Sequence, residues 1–194
     1  MIAPPTRTAA KLARTSLLPG AGSPPIEPGA FAIIVDSREA KPWQLPAGVP
    51  YVVRKLYAGD YSVVGREREV AIERKSLGDL VSTLFGKGVA PRFEPKWHRF
   101  QRELGKLARY RHAAIVVECS VGDLTDHRYR LAPDDPIRRS SVFWANRLDT
   151  LEPAEITRRL QLVERTWKIP TVWGISHAHA GPMAVDMLRG WARS

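Results

Sequence analysis

Short apolar runs separated by polar turns occupy the first half of the chain. Residues 31–35, 51–56, 60–64 and 70–75 are rich in β-branched and other apolar side chains, and segments containing Gly, Pro or charged residues lie between them. We therefore predict four strands here. Because only short turns join the last three, we predict that these three form an antiparallel meander.

Helical spacing of apolar residues becomes frequent after residue 76. It predicts helices over residues 77–85, 95–110, 141–151, 153–167 and 181–193. The apolar runs 113–117 and 169–173 are predicted to be the fifth and sixth strands, and residues 126–139 to be irregular. Strands that precede and alternate with helices predict an α/β fold, a mixed central sheet of about six strands flanked by helices.

The amino-terminal residues differ in composition from the rest of the 194-residue chain. Prolines and glycines interrupt residues 1–30, where basic side chains outnumber acidic ones, so we predict a disordered basic tail here and one folded domain over 31–194. No apolar run is long enough to cross a bilayer. We expect no membrane partner and a cytoplasmic or nucleoid-associated protein; a basic leader also leaves organellar import open.

The net charge of the chain indicates what kind of partner it binds. Thirty Lys and Arg against twenty Asp and Glu give +10, which favours a polyanion such as nucleic acid. The polar side of helix 95–110 and the segment before it supply candidate DNA contacts: Arg92, Lys96, Arg99 and Arg102. An ordinary solvated helix face explains the same pattern. The single cysteine, Cys119, is predicted to be a small buried residue of a strand end and not a nucleophile.

Three acids lie at the edges of predicted strands: Asp36, Asp60 and Glu73. Successive side chains of a strand point to opposite faces, so Glu73 and Lys75 project to the same side. We therefore predict that Asp36, Asp60 and Glu73 bind Mg²⁺, with Mn²⁺ as a substitute. Lys75 is predicted to position or deprotonate water and to offset transition-state charge, which suits phosphodiester hydrolysis. Each acid taken alone is equally compatible with a surface turn, and Lys75 with a salt bridge to Glu73.

At this point the chain resembles the nuclease domain of the XPF family of structure-selective DNA endonucleases. The resemblance is strong over residues 31–124 and looser in the last third. It implies a restriction-endonuclease-like core that cuts branched, flap or single-strand/double-strand junction DNA in repair or recombination. Every position of the family signature is filled: Asp36, Arg38, Glu39, Gly59, Asp60, Glu73, Arg74, Lys75 and Asp79.

The remaining signature residues are assigned as follows. The resemblance implies that Arg38 and Arg74 belong to the nuclease site, whereas strand direction suggests that Arg74 pairs with Asp79. Glu39 and Asp79 are candidates for a second ion or for a water on the first. For Asp79 a role as the acid at a helix start is favoured over direct ligation.

Several alternatives stay open from the sequence. The chain ends without a recognisable helix-hairpin-helix unit, which leaves a family-type homodimer as an open expectation. A nuclease-dead DNA-binding module, or a restriction- or resolvase-type nuclease, fits the same charges. His177 and His179 are predicted to lie in a surface loop and not in a zinc site. Three aromatic residues could stack on unpaired bases, but a place in the core or at its rim is favoured for them: Trp43, Tyr57 and Tyr61.

Overall fold

The computed structural model describes residues 30–86, 96–131, 133–135 and 141–194. The strands in this part of the chain are β1 (Ile33–Asp36), β2 (Tyr51–Arg54), β3 (Tyr61–Val63), β4 (Val70–Lys75), β5 (His112–Val117) and β6 (Thr171–Trp173). The helices are α1 (Leu77–Phe85), α2 (Lys96–Leu107), α3 (Val121–Thr125), α4 (Val142–Thr150), α5 (Pro153–Trp167) and α6 (His177–Ala192). One sheet contains the strands in the order β2-β1-β3-β4-β5-β6, which confirms the predicted mixed sheet with flanking helices.

The sheet is mixed because β3 runs against both of its neighbours, β1 and β4, while β5 and β6 continue parallel to β4. The predicted meander of the second, third and fourth strands is wrong. β2 pairs in parallel with β1, with Asp36 opposite Arg54, and forms the outer edge of the sheet. Residues 37–50 are long enough for the crossover that a parallel pair requires.

Two apolar layers cover the sheet, one on each face. On the first face, α1, α2 and α5 bury Leu80, Leu104 and Leu160 against strand residues that include Ile115. On the second face, α6 packs Leu188 and its apolar neighbours against alternate residues of the same central strands. Because side chains alternate along a strand, β4 and β5 contribute to both layers, and their continuous apolar sequence follows from this double coverage.

Most predicted element boundaries agree with the structure. The helix predicted over 77–85 is α1, whose start is capped by Ser76: its hydroxyl accepts a hydrogen bond from the Asp79 amide. The last helix begins at His177, four residues earlier than predicted, because Ser176 caps it before the apolar period becomes clear. The predicted surface loop around His177 is therefore wrong. The short helix α3 was not predicted, although Ser120 and Asp123 form a capping box at its start.

Some predictions fall outside the described residues: nearly all of the tail 1–30, the helix start at Pro95, Arg92 and parts of the segment 126–139. Within the described parts of the chain, no helix is both long and apolar enough to cross a membrane. Cys119 is buried, and burial together with the nearby charges of Asp123 and Glu118 raises the pKa of its thiol to about 12. This agrees with the predicted structural role.

Candidate active site

The candidate site forms at one end of the central strands, where β1 and β4 end and β3 begins. The Asp36 amide at the end of β1 donates to the Asp60 carbonyl, and the Asp60 amide donates to the Ile72 carbonyl in β4, both at 2.8 Å. Gly59 directly precedes Asp60, the residue before β3, and has a φ of +74°, a conformation that favours glycine. A β carbon there would lie 3.0 Å from the Ile72 carbonyl oxygen. This turn therefore sets Asp60 between β1 and β4.

Strand alternation then sorts the charged end of β4 between the two faces of the sheet. Glu73 and Lys75 project toward α1 and α2, and the Lys75 ammonium lies 2.9 Å from the Glu73 carboxylate. Its nitrogen is also 5.0 Å from the centre of the Phe100 ring in α2. Arg74 projects toward the α6 face, as the sequence predicted from direction alone.

An open cleft of about 640 Å³ lies over these strand ends. Acids and cations are interspersed around it, so it is not uniformly charged. Its lining consists of Arg38, Glu39, Ala40, Gly59, Asp60, Glu73, Arg74, Lys75, Asp79, Arg99 and Glu103. Every charged residue in this lining except Glu103 was singled out from the sequence.

Asp60 and Glu73 are the two acids of the cleft whose pKa values are raised. Burial, followed by the neighbouring negative charge of Glu73, raises the pKa of Asp60 well above its ordinary value. Burial also raises the pKa of Glu73, against the opposing effect of Lys75. One oxygen of Asp60 accepts a hydrogen bond from the Arg74 amide at 2.8 Å. A buried acid whose pKa a neighbouring carboxylate raises marks a place where a cation would be stabilised.

Lys75 bridges two carboxylates. Its ammonium lies 2.9 Å from Glu73 and 3.2 Å from Asp79. Burial acts to lower the pKa of Lys75, but the two carboxylates outweigh burial and leave the pKa above its ordinary value. The amine is therefore protonated in this structure and donates hydrogen bonds. Asp79 pairs with Lys75 and not with Arg74, so the predicted Arg74–Asp79 pair is wrong.

Asp36 does not line the cleft. Its carboxylate is 2 % exposed and accepts hydrogen bonds from the Arg38 side chain at 2.8 Å, the Arg38 amide and the Leu56 amide. Both of its oxygens are thus engaged by protein donors. Asp36 fixes Arg38, whose guanidinium also donates to the Leu56 carbonyl and reaches the cleft. These contacts argue against the predicted role of Asp36 as a metal ligand.

Glu118 is a site residue that the sequence reading missed. It follows β5 directly, and its buried carboxylate accepts two hydrogen bonds from the Arg74 guanidinium, at 2.6 and 2.7 Å. It also accepts from the Trp43 indole, and the His177 ring lies 2.6 Å from it. Arg74 contacts Glu39 at 3.3 Å as well. The sequence does contain a signal for Glu118: it is a lone acid directly after an apolar strand, and this strand neighbours the one that carries the motif.

Glu103 is a second missed residue. It lines the cleft from α2, accepts a hydrogen bond from the Gly59 amide at 3.1 Å, and forms an ion pair with Lys106 at 3.0 Å. Its charge also acts to raise the pKa of Glu73. Its position one helical turn after Arg99 was the signal in the sequence, because residues four apart share a helix face.

The four candidate DNA contacts lie in different settings. Arg99 lines the cleft. The Lys96 ammonium is exposed and donates to the Ser82 hydroxyl at 2.6 Å, and Arg102 is exposed on α2. Arg92 lies outside the described residues. The structure thus brings one of the four to the acids and places two more on the same helix.

The remaining candidates divide between core and surface. Trp43 and Tyr61 are buried and stacked with ring centres 4.3 Å apart, as expected of core aromatics, whereas Tyr57 is exposed. His177 and His179 lie in the first turn of α6. Within the described residues, no group of three or more His, Cys, Asp or Glu is arranged to hold a metal ion.

Solved structures share this fold. One is titled XPF from Aeropyrum pernix, at 17 % identity and a TM-score of 0.53. The match covers 84 % of this chain and 65 % of the Aeropyrum pernix chain. The other is the same protein titled as a complex with DNA, at 18 % identity and a TM-score of 0.51, covering 84 % and 66 %. This chain thus spans about two thirds of their length. At these identities the likeness shows the fold alone.

Two sequence comparisons complete the assignment. No curated protein matches this sequence. The family model described as the ERCC4 domain matches residues 35–184, which is more than half of the chain and includes every residue of the cleft. This match confirms the family resemblance of the signature residues, and the chain therefore belongs to the ERCC4 domain family.

Proposed function

We propose that this protein is a Mg²⁺-dependent DNA endonuclease that hydrolyses phosphodiester bonds at branched, flap or junction DNA. The observation that carries the proposal is the placement of Asp60, Glu73 and Lys75 on one face of the sheet, in a cleft that arginines also line. Two acids beside a cationic donor suit a reaction at an anionic phosphodiester.

The residues present fit a hard divalent cation. Mg²⁺ is commonly bound through one or two carboxylates, with water and substrate phosphates completing its shell, so a cage of three acids is not required. Asp60 and Glu73 are the proposed ligands for Mg²⁺ or Mn²⁺. Burial raises the pKa of both carboxyls, and a bound cation would oppose this by favouring their ionised forms. Glu39 and Asp79 remain proposed outer residues, and Glu103 joins them.

The chain's own groups then have distinct parts in the proposed reaction. A bound divalent cation supplies Lewis-acid polarisation and lowers the pKa of water. Lys75 donates hydrogen bonds from its ammonium toward the phosphoryl oxygens and offsets charge that develops on them. Arg38 and Arg99 bind flanking phosphates, Arg38 being fixed for this by Asp36. Arg74 positions Asp60 through its amide while Glu118 fixes its side chain.

The substrate class rests on family membership and charge. The neighbour from Aeropyrum pernix is titled as a complex with DNA, and this chain carries a net charge of +10. Repair or recombination of branched DNA in the cytoplasm or at the nucleoid is the proposed setting. A second copy of the chain is a further proposed partner, and sedimentation with and without a DNA fork tests it.

The proposal is tested by cleavage. Purified protein is incubated with flap, fork and linear duplexes, with Mg²⁺ or with EDTA, and products are mapped on sequencing gels. We expect nicks near the branch only with the metal, and a loss of at least about 100-fold in rate for Glu73→Gln. Glu69→Gln, in an exposed ion pair with Arg66, is the matched control and should cut like the wild type.

Specific outcomes separate the rival functions. Equal cleavage by wild type and Glu73→Gln would assign the activity to a contaminant. DNA binding without products under any metal would favour a nuclease-dead binding module. Cuts at a short recognition sequence in linear duplex, with no preference for branches, would favour a restriction- or resolvase-type nuclease.

A further inference from the structure

Tyr57 is an aromatic side chain whose position the core does not explain. Its neighbours Leu56 and Ala58 are buried, at 4 % and 1 % exposure, whereas Tyr57 is 45 % exposed. Among the exposed large apolar side chains of the described residues it is the one aromatic ring. It stands two residues before Gly59, which lines the cleft. The ring is therefore partly exposed to solvent, and its residue is three positions before Asp60 in the chain.

Two cations lie over this ring. The Arg68 guanidinium is 5.1 Å from the ring centre and the Lys106 ammonium is 5.5 Å from it. Both side chains are long and partly or fully exposed, so they can turn from the ring to a phosphate at little cost. An exposed ring beside cations is the combination that single-stranded nucleic acid grooves use.

Helix α2 connects this cluster with the cleft. Arg99 and Glu103 line the cleft, and Lys106 follows one turn after Glu103, to which it is ion-paired. Seven residues separate Arg99 from Lys106, which is about 10 Å along a helix axis. This is the length of about three nucleotides at the 3.4 Å rise of a DNA strand. A strand cut in the cleft would thus reach Tyr57 within a few nucleotides.

The exposed ring discriminates between single and double strands. Inside a duplex both faces of every base are covered by neighbouring base pairs, so a surface ring has no free base to stack on. We propose that Tyr57, with Arg68 and Lys106, binds an unpaired nucleobase and its phosphates on the single-stranded side of a junction. This subsite rests on the proposed function and adds to it the feature that selects substrates with an unpaired arm.

The test is binding without cleavage. Fluorescence anisotropy in EDTA at fixed salt measures the affinity of the full chain for oligo-dT, a blunt duplex and a fork with unpaired arms. We expect Tyr57→Ala to weaken oligo-dT and fork binding by about 5- to 100-fold and duplex binding by less than about 2-fold. Tyr57→Phe keeps the ring and should match the wild type. Leu162→Ala removes a comparably exposed apolar side chain outside the cleft and should change nothing.

The outcomes distinguish this subsite from the proposed function. A wild type that binds none of the three DNAs overturns both. DNA binding that Tyr57→Ala weakens equally for duplex, fork and oligo-dT, or does not weaken at all, overturns the subsite and leaves the nuclease proposal standing. Equal losses in Tyr57→Phe and Tyr57→Ala also overturn it, because the hydroxyl and not the ring would then be the contact.

Discussion

At the scale of single residues, one carboxylate organises each side of the candidate site. Glu118 holds the Arg74 side chain on the α6 face, and Asp36 holds Arg38 at the rim of the cleft. Neither acid lines the cleft. Both keep an arginine in a fixed orientation, and a fork-shaped guanidinium bound at two atoms has little freedom left. Asp60 and Glu73, two of the acids that line the cleft, are thereby not engaged by either arginine side chain.

Asp36→Asn tests this bracing role. Burial acts to raise the pKa of Asp36, but the hydrogen bonds from Arg38 and from the Leu56 amide outweigh burial and hold the pKa below its ordinary value. The ionised carboxylate therefore stabilises the fold above the unfolded-state pKa of about 3.9, and this is lost as the pH falls through the folded-state pKa. We expect the variant to lose about 1–3 kcal/mol at pH 7.

Urea unfolding at several pH values measures the effect. The difference between wild type and Asp36→Asn should shrink as the pH is lowered from about 5 toward 2. Glu69→Gln, which breaks the exposed pair with Arg66, should stay within about 1 kcal/mol of the wild type at neutral pH. A gap for Asp36→Asn that is constant over the whole pH range would show that its charge does not contribute.

At the scale of elements, the site depends on one turn between two strands. Gly59 turns the chain into β3 with a positive φ and packs against β4. Its amide is held by Glu103 of α2, so the turn, two strands and a helix meet at one point. The spacing between Asp60 and Glu73 follows from this contact, because Asp60 is hydrogen-bonded to β4 through both its amide and its carboxylate.

Gly59→Ala should therefore damage the site more than a similar change elsewhere. Gly65 has nearly the same φ, +79°, but a β carbon there meets nothing within 4 Å. Both alanine variants carry the cost of a left-handed conformation, about 1–2 kcal/mol. We expect only Gly59→Ala to add the clash with the Ile72 carbonyl. This variant should therefore unfold at a lower urea concentration, and it should lose DNA cleavage even in buffer without urea, where it is still folded. Equal midpoints for the two variants would contradict this contact.

At the scale of the whole molecule, the two faces of the sheet have different tasks. The face covered by α1 and α2 carries Glu73, Lys75 and the candidate DNA contact Arg99, and the α6 face holds the bracing pair of Arg74 and Glu118. Each phosphate that a protein neutralises changes the slope of log affinity against log salt by about −0.9. The position of a cation should thus be visible in the salt dependence of DNA binding.

Arg99→Ala and Arg189→Ala remove the same charge from different faces. Arg99 lines the cleft, whereas Arg189 lies on α6 and pairs with Asp186. We expect Arg99→Ala to make the slope shallower by about 0.9 and Arg189→Ala to leave it unchanged, in fork binding titrated with KCl in EDTA. Identical slopes for both variants would mean that net charge alone, and not the α2 face, attracts the DNA.

The sequence by itself determined the mixed sheet, most helix boundaries and nearly all of the charged cleft. These depend on local patterns, namely apolar period, capping residues and the alternation that separates Arg74 from Lys75. The direction of β2, the capture of Asp36 by Arg38 and Leu56, and the joining of Glu118 to Arg74 were decided by tertiary structure alone. Each of these depends on groups far apart in the chain, and no local spacing encodes which side chain a folded neighbour will reach.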